Sequence, residues 1–309
     1  MVLSEGSESL IQLDRDSRLI LPGSPERSYR DLVALPSGWL LAGEIAGDTG
    51  TTEIFLLHGD DDRWARHPIP SGRLSSRSRP RILANGDRLS GLMWLEGSGS
   101  GSLGVRSARW SADGWSEPAW VSKPGSGSQL ALTASALADG SWLAVWSYFD
   151  GKDDEIVFSR LDSDLWSRPQ RVSTDNDIPD ITPTLAPTAR GAVLAWSRYD
   201  GNDYRLRVAR FEDGEWREEA WLGGAGSVFP GFVFDSADPN AGSSLLFRTV
   251  SDRTWSLVAF DAHGKVSSLS ELVTAERSRP VVQLSPTGME ELEWYSMPQA
   301  RGTHNRRDG

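Results

Sequence analysis

Arginines recur beside prolines at two corresponding places in the chain, and their side chains have the chemistry to bind a carboxylate. The tetrapeptides Arg77-Ser78-Arg79-Pro80 and Arg277-Ser278-Arg279-Pro280 are identical, and Arg27 begins a related segment that ends at Arg30. A guanidinium group donates two parallel, charge-assisted hydrogen bonds to a carboxylate. The alternative is that these are surface arginines that balance an acidic protein. The candidate ligand-binding arginines are Arg27, Arg77, Arg79, Arg277 and Arg279.

A second group of candidates is acidic and falls in three short segments of the middle of the chain. Clustered carboxylates bind Ca²⁺, although no spacing here matches an EF-hand loop. A solvated acidic rim is the alternative. The acidic residues are Asp150, Asp153, Asp154, Glu155, Asp175, Asp177, Asp180, Asp200 and Asp203. Of these, the calcium candidates are Asp150, Asp153, Asp154, Asp200 and Asp203.

A pair of carboxylates also serves as acid and base in glycoside hydrolysis, so catalysis is a further interpretation of the acidic residues. Asp177 and Asp180 are the catalytic candidates in this group, and Tyr29, between the arginines of its segment, is the third. No residue is assigned a catalytic role from the sequence.

Aromatic residues accompany the acidic segments. Rings beside polar groups suit the recognition of sugars or peptides, and packing in the core or in a loop is the alternative. Tyr148 and Tyr199 are the candidate ligand-binding aromatics, with Phe149 and Tyr204 next to the same segments.

Composition excludes several kinds of chemistry. The chain has 309 residues, no cysteine and a net charge of −11, which excludes thiolate chemistry and argues against nucleic acid as a partner. Gly99, Gly101 and Gly104 match a dinucleotide fingerprint formally, but no helix is expected to follow them. The histidines, which are His58, His67, His263 and His304, are too scattered for a triad or a zinc site.

Membrane insertion and export are not expected. No run approaches the roughly 20 apolar residues of a membrane span. Residues 1–8 are polar and acidic, so the sequence as written predicts no signal peptide and a cytoplasmic protein. A periplasmic or secreted location would follow if Met1 replaces a processed leader.

Two series of residues repeat along the chain and predict the elements that hold these candidates. Trp64, Trp115, Trp166 and Trp216 follow turn residues at intervals of 51, 51 and 50 residues. A second series, at similar intervals, marks the strand after the first turn of each unit. Repeats of about fifty residues, built of short apolar runs between Gly- and Asp-rich turns, predict propeller blades. The second series is Gly43, Trp94, Trp146, Trp196, Phe247 and Trp294.

The repeat predicts an all-β, six-bladed β-propeller of four-stranded antiparallel blades in a single domain over residues 1–296. Residues 9–22 match the second half of the repeat and 279–295 match the first half. We therefore expect N-terminal strands to complete the C-terminal blade and close the ring, with a tail at 297–309. The expected blades are 28–75, 76–127, 128–176, 177–226, 227–276, and 277–296 together with 9–22.

The repeat units resemble the BNR-like repeats of the sialidase superfamily. The strand Ala144-Val145-Trp146-Ser147, the later Ser159-Arg160, and the turn that leads to Trp166-Ser167-Arg168-Pro169 carry the likeness. The Asp-box of that family is shortened here to Ser111-Ala112-Asp113-Gly114-Trp115. The resemblance implies a six-bladed propeller, and it implies an arginine cluster that clamps a substrate carboxylate.

The preferred interpretation is a binding or scaffold propeller that presents arginine and acidic patches to a glycan or a protein, and not an active sialidase. The first alternative is a glycoside hydrolase or polysaccharide lyase of sialidase-like fold acting on an acidic sugar. The second is a structural subunit of a larger assembly. We expect a monomer or a subunit of a complex and no cofactor, with Ca²⁺ as the alternative.

Overall fold

The chain folds into antiparallel β-sheets. The structure, a computed structural model, describes residues 3–5, 8–12, 18–21, 27–47, 50–60, 63–71, 76–97, 101–125, 127–173, 176–234, 242–250, 254–272, 278–285 and 288–296. Side chains are described between residues 27 and 269 within these ranges, except at 60, 218, 219, 233 and 234. No helix in this described part of the chain has the length and apolar character needed to cross a membrane.

The sheets follow one another in chain order. The first has three strands: β1 Leu3–Glu5, β2 Glu8–Gln12 and β3 Arg18–Leu21. Blade 1 comprises β4 Arg27–Leu35, β5 Gly38–Ala46, β6 Thr52–Asp60 and β7 Arg63–His67. Blade 2 comprises β8 Arg77–Asn85, β9 Arg88–Gly97, β10 Leu103–Ser111, β11 Gly114–Trp115 and β12 Ala119–Ser122.

The remaining sheets have the same meander order. Blade 3 comprises β13 Ser128–Ala136, β14 Trp142–Phe149, β15 Asp154–Asp162, β16 Leu165–Trp166 and β17 Gln170–Arg171. Blade 4 comprises β18 Asp180–Thr188, β19 Gly191–Tyr199, β20 Tyr204–Glu212 and β21 Glu215–Leu222. Blade 5 comprises β22 Ser227–Phe234, β23 Ser243–Thr249, β24 Thr254–Phe260 and β25 Val266–Leu272. A hairpin, β26 Ser278–Ser285 and β27 Gly288–Ser296, ends the series.

The first strand of each blade is its innermost strand. β4 contacts β8, β8 contacts β13, β13 contacts β18, and β18 contacts β22. These strands therefore lie side by side around a central channel, and the later strands of each blade lie progressively further out. This arrangement is a β-propeller, as the repeat predicts.

The predicted number of blades is wrong, because the described residues form five blades of antiparallel sheet and not six. The segments expected to share a sixth blade form separate sheets, β1-β2-β3 and β26-β27. A shared blade would need an N-terminal strand to pair with β27. Both edges of β2 are already occupied, by β1 through Leu3↔Leu10 and by β3 through Ile11↔Leu19. The predicted division into one domain and a tail stays a prediction, and the tail lies outside the described residues.

The aromatic series accounts for the packing between blades. Trp94, Trp146, Trp196 and Phe247 stand on the second strands of blades 2 to 5 and are at most 1% exposed. Each belongs to a core cluster that joins its blade to the preceding one. In blade 1 the corresponding residue is Gly43, and a Cβ built there would lie 2.5 Å from the Phe55 ring. Bulky rings at this repeated position therefore wedge neighbouring blades together.

A β-bulge faces each of these aromatic residues. The innermost strands of blades 2 to 5 shift register there, so that two of their residues oppose one ring-bearing residue. The second bulge residue is buried in every case, and it is proline except in blade 3. The first bulge residue has a positive φ between 47° and 54°. These four left-handed residues are Arg79, Ala131, Thr182 and Phe229.

Candidate functional site

Side chains of neighbouring blades form hydrogen bonds with backbone groups at the edges of the innermost strands. The Asp31 carboxylate accepts a hydrogen bond from the Ile82 backbone N–H at 2.7 Å. Arg81 donates from Nη1 to the Arg30 carbonyl at 2.9 Å and from Nε to the Leu132 carbonyl at 2.9 Å. Arg81 therefore links blades 1, 2 and 3. The free edges of the innermost strands expose polar backbone groups that need hydrogen-bond partners. These side chains supply such partners and so connect neighbouring inner strands.

Glu44 fixes two arginine-bearing segments at the loop end of the channel. Its Oε2 accepts from Arg30 Nη2 at 2.7 Å, and its Oε1 accepts from the backbone N–H of Arg79 at 2.6 Å. Glu44 is only 8% exposed, so both contacts are shielded from water. A single buried carboxylate therefore positions blade 1 against the bulge of blade 2.

Arg79 is the candidate residue that this arrangement leaves available. Its side chain is exposed, and no hydrogen bond of its guanidinium to another described residue is present. Partial burial lowers the pKa of Arg79, as do the positive charges of Arg30 and Arg81, and Glu44 offsets this only in part. The group stays cationic, because arginine does not deprotonate in proteins. Its charge is therefore incompletely neutralised within the fold.

The arginine cluster is defined as Arg30, Arg79 and Arg81. The carboxylates within it are Glu44, which bonds to Arg30, and Asp31, whose Oδ1 lies 3.8 Å from Arg81 Nη1. Burial raises the pKa of Asp31, and the charge of Arg81 and backbone hydrogen bonds counteract this in part. The cluster therefore carries an excess of positive charge in a protein whose net charge is −11. Such an excess attracts anions.

Tyr29 and Arg27 pack beside the Phe55 ring in blade 1. The Arg27 guanidinium carbon lies 5.5 Å from the centroid of the Phe55 ring, and the Tyr29 ring meets Phe55 edge-on at 5.9 Å. Burial raises the pKa of the Tyr29 phenol, while the charge of Arg27 and a hydrogen bond from it act in the opposite direction. Tyr29 is protonated at neutral pH, as an unperturbed tyrosine also is.

Arg77 is buried inside blade 2. Its Nε lies 3.5 Å from Glu96 Oε2, its Nη1 donates to the Pro70 carbonyl at 3.0 Å, and its guanidinium lies 5.6 Å from the Trp94 ring. Glu96 also accepts from Trp94 Nε1 at 2.8 Å. Arg77 thus belongs to the interior of the blade. Arg79, which only Ser78 separates from it in the chain, is exposed instead.

Asp180 occupies the corresponding place in blade 4. It is fully buried, and its carboxylate accepts from Arg198 Nε at 2.7 Å, from Arg198 Nη2 at 2.5 Å and from Trp196 Nε1 at 2.9 Å. Asp177 is exposed and pairs with Lys152 of the preceding blade. The two acidic candidates therefore lie in different environments, and they do not form a carboxylate pair.

The acidic segments of blades 3 and 4 are hairpin turns of one kind. Asp150 Oδ1 accepts from the Lys152 backbone N–H at 2.9 Å, and Asp200 Oδ1 accepts from the Asn202 and Asp203 N–H groups at 3.0 and 2.9 Å. These backbone hydrogen bonds lower the pKa of Asp150 and of Asp200. Both carboxylates thus hold a turn in shape.

The other members of the acidic segments are dispersed. Asp153 is 5% exposed, Glu155 is fully buried, and Asp203 is exposed. Burial raises the pKa of Asp154, and the charges of Asp153 and Asp150 add to this. Across the described ranges, no three His, Asp or Glu side chains are grouped so that they could hold a metal ion. Calcium binding stays a prediction.

Three of the four predicted aromatic residues, Tyr148, Tyr199 and Tyr204, pack against neighbouring residues. Tyr148 packs partly buried against the core cluster of blades 2 and 3. The Tyr199 and Tyr204 rings are 5.3 Å apart, and the Tyr199 hydroxyl donates to the Gly201 carbonyl at 3.1 Å. Phe149 is 40% exposed.

Three sequence candidates cannot be placed beside the others. Arg277 and Asp175 lie outside the described residues. Arg279 of β26 pairs through its backbone with Tyr295 of β27, and its side chain is outside the described set. Sequence reasoning did not identify Arg81, Asp31, Glu44 or Phe229. A usable signal was the X-Pro step in three inner strands, at Arg79-Pro80, Thr182-Pro183 and Phe229-Pro230, which marks the bulges.

Two cavities lie at the opposite end of the inner strands, near the turns of the first hairpins. One, of about 40 Å³, is lined by Val33, Ile82, Ala84, Ser135 and Leu137 among others. The other, of about 170 Å³ between blades 3 and 4, includes Arg160 and Arg190 in its wall. Neither includes a residue of the arginine cluster.

Comparison with solved structures supports the fold. An uncharacterised protein from Dyadobacter fermentans has a TM-score of 0.58 at 13% identity, with 87% of each chain covered. A polysaccharide lyase described as an ulvan lyase bound to GlcA(1-4)Rha3S has a TM-score of 0.57 at 9% identity, with 96% of this chain and 91% of that one covered. A lectin from Aleuria aurantia, in complex with Fucα1-6GlcNAc, has a TM-score of 0.50 at 11% identity, with 86% and 87% covered.

Identities this low show the propeller fold alone. No family model matches the chain. No curated protein matches it. The relation to BNR-like repeats and to the sialidase superfamily therefore stays a prediction.

Proposed function

We propose that this propeller binds an acidic glycan at the loop end of its central channel, with Arg79 holding a carboxylate of the sugar. The observation that carries the proposal is the exposed guanidinium of Arg79, which no other described residue pairs with, beside the charges of Arg30 and Arg81. A carboxylate is the ligand group that best fits a guanidinium, because it accepts two parallel hydrogen bonds. Glu44 keeps the bulge that carries Arg79 in place.

The structural neighbours support a carbohydrate as the ligand class. One of them is a lectin in complex with a fucosylated disaccharide, and another is a lyase bound to a saccharide containing GlcA. The second of these ligands combines a sugar ring with a carboxylate, which is the combination that the arginine cluster favours. Binding without catalysis is preferred here because Asp180 and Arg77 are committed to ion pairs inside their blades.

A polysaccharide lyase is the second candidate function. Tyr29 favours it, because its phenol is protonated at neutral pH and lies beside the cationic Arg27, where it can donate a proton to a leaving group. Elimination from a uronate creates a carbon–carbon double bond in the product, so ultraviolet absorbance of the incubated saccharide distinguishes lyase activity from binding.

The test is calorimetric titration with a tetrasaccharide of glucuronic acid and with its carboxyl-reduced neutral counterpart. We expect the acidic saccharide to bind more tightly, and we expect Arg79→Gln to weaken its binding by about tenfold or more, since a hydrogen bond to a charged group contributes roughly 1.5–3 kcal/mol. Arg88→Gln is the matched control, because Arg88 is exposed at the opposite end of blade 2 and pairs with Asp87. Equal binding of both saccharides would contradict the proposal, as would equal loss in both variants.

A further inference from the structure

Phe229 has a backbone conformation that is unfavourable for a bulky residue. Its φ is 54°, and its side chain is 63% exposed although it is large and apolar. The left-handed conformation is unfavourable for any residue with a Cβ, and a bulky residue there is a clear outlier. The core cluster of blades 4 and 5 does not include Phe229. Core packing therefore does not explain the position of its ring.

The register places Phe229 at the same level of the channel as Arg79. Each is the third residue of its innermost strand and the first residue of a bulge, opposite Phe247 in blade 5 and Trp94 in blade 2. The inner strands of successive blades run in the same direction, because each blade repeats one meander. The two side chains therefore stand at the same loop end of the channel, on blades that are separated by blades 3 and 4.

The corresponding residues of blades 3 and 4 place no large, exposed side chain at this level of the channel. Ala131 has only a methyl group, and Thr182 Oγ1 is hydrogen-bonded to Ser197 Oγ at 3.0 Å within its own blade. The two large, exposed side chains among the four left-handed residues are thus a cation and an aromatic ring. Exposed rings beside polar groups suit the apolar faces of sugar rings, and strained residues of this kind gather at binding sites.

We propose that Phe229 is a stacking platform for a second sugar ring of the acidic glycan whose carboxylate Arg79 binds. This rests on the proposed function, and it adds that the ligand is an oligosaccharide spanning the channel mouth and not a single acidic sugar. The bulge recurs in blades 2 to 5, so the fold sets this left-handed backbone, and the ligand contact accounts for the large exposed ring that blade 5 carries there.

The experiment uses Phe229→Gly, which removes the ring and the backbone strain together. We expect its melting temperature to rise by about 2 °C or more, because glycine adopts positive φ without a steric penalty. We also expect its affinity for the glucuronic acid tetrasaccharide to fall by about tenfold. Ala131→Gly is the matched control, with the same backbone relief, and it should raise the melting temperature without changing affinity. Phe229→Tyr should keep the affinity.

The two proposals fail in distinguishable ways. Unchanged affinity in Phe229→Gly, with a loss in Arg79→Gln, would overturn the stacking platform and leave the carboxylate site intact. A lower melting temperature in Phe229→Gly would also overturn it, because the ring would then be part of the core. A wild-type protein that does not distinguish the acidic from the neutral tetrasaccharide would overturn the proposed function itself.

Discussion

Arg77 and Asp180 occupy the same position in blades 2 and 4 with opposite charge. Each begins the innermost strand of its blade and faces a residue of the second strand, in the pairs Arg77↔Glu96 and Asp180↔Arg198. In each blade the carboxylate also accepts the indole N–H of a buried tryptophan, at 2.8 Å in blade 2 and 2.9 Å in blade 4. The repeat thus preserves the ion pair and its hydrogen bond while exchanging the strands that carry the two charges.

Removing the carboxylate of Asp180 should destabilise the protein strongly. Asp180→Asn leaves the Arg198 guanidinium partly buried without its counter-charge, which typically costs about 3–5 kcal/mol. Chemical denaturation of the purified variant measures this free energy of unfolding. Asp177→Asn is the control, because its exposed pair with Lys152 should contribute about 1 kcal/mol or less. Similar small losses in both variants would contradict the structural role of Asp180.

Blade 3 lacks the ion pair, and this should make its tryptophan less costly to change. Gln129 takes the place of the charged residue, and neither its Oε1 nor Trp146 Nε1 has a hydrogen-bond partner among the described residues. Trp196→Phe should therefore cost about 1.5–3 kcal/mol more than Trp146→Phe, since only the former breaks a hydrogen bond to a buried charge. The measurement is the difference between their unfolding free energies. Equal values would show that ring volume alone decides the cost.

Lowering the pH should raise the free energy of unfolding of the wild type relative to that of Asp31→Asn. Burial raises the folded-state pKa of Asp31, so the folded protein holds this proton more tightly than the unfolded chain. The resulting stabilisation is complete below the unfolded pKa of about 4 and is lost as pH rises through the folded pKa. Unfolding free energies of both proteins, measured from pH 7 down to about 4, test this.

Asp139→Asn is the control for this pH series, because its effect on the unfolding free energy should change with pH in the opposite direction. Partial burial opposes ionisation of Asp139, but the hydrogen bonds from Ser141 and the charge of Arg160 outweigh it and lower the pKa. The stabilisation from Asp139 is therefore present above the unfolded pKa of about 4 and is lost as pH falls. A wild-type advantage that changed in the same direction against both variants would contradict the assignment of Asp31.

Blade 1 should not tolerate even a methyl group at the position where blades 2 to 4 carry tryptophan. A Cβ at Gly43 would lie 2.5 Å from the Phe55 ring and 2.6 Å from the Ser28 carbonyl oxygen. We expect Gly43→Ala to lower the unfolding free energy by about 1–3 kcal/mol through overpacking. Gly224→Ala, where a Cβ meets open space, should stay within about 0.5 kcal/mol of the wild type. No difference between the two would contradict the packing described for Phe55.

The propeller could be predicted from the sequence, but the number of its blades could not. Tryptophan spacing and turn residues such as Asn85-Gly86 and Asp139-Gly140 depend on local conformation. They therefore recur along the sequence with each repeat. Blade number depends on which strands pair at the ends of the chain. The edge of β2 is taken by Leu3–Glu5, a strand too short and too polar to show a hydrophobic pattern.

The candidate site shows a similar division. Arginine near the start of an inner strand indicated Arg79, which is exposed and whose ligand-binding role stays a prediction, but the same pattern also selected Arg77, which is buried. The bulge decides between them, because it turns Arg79 out of the sheet while Arg77 stays in register with Glu96. Phe229 has no charge and no motif, and it becomes recognisable only when register and exposure are known together.

A crystal structure of the protein with the glucuronic acid tetrasaccharide would show where the ligand binds. We expect a carboxylate of the sugar within hydrogen-bonding distance of the Arg79 guanidinium and a neighbouring sugar ring against Phe229. A saccharide seated at the opposite end of the channel, or one that leaves Arg79 in water, would contradict this expectation.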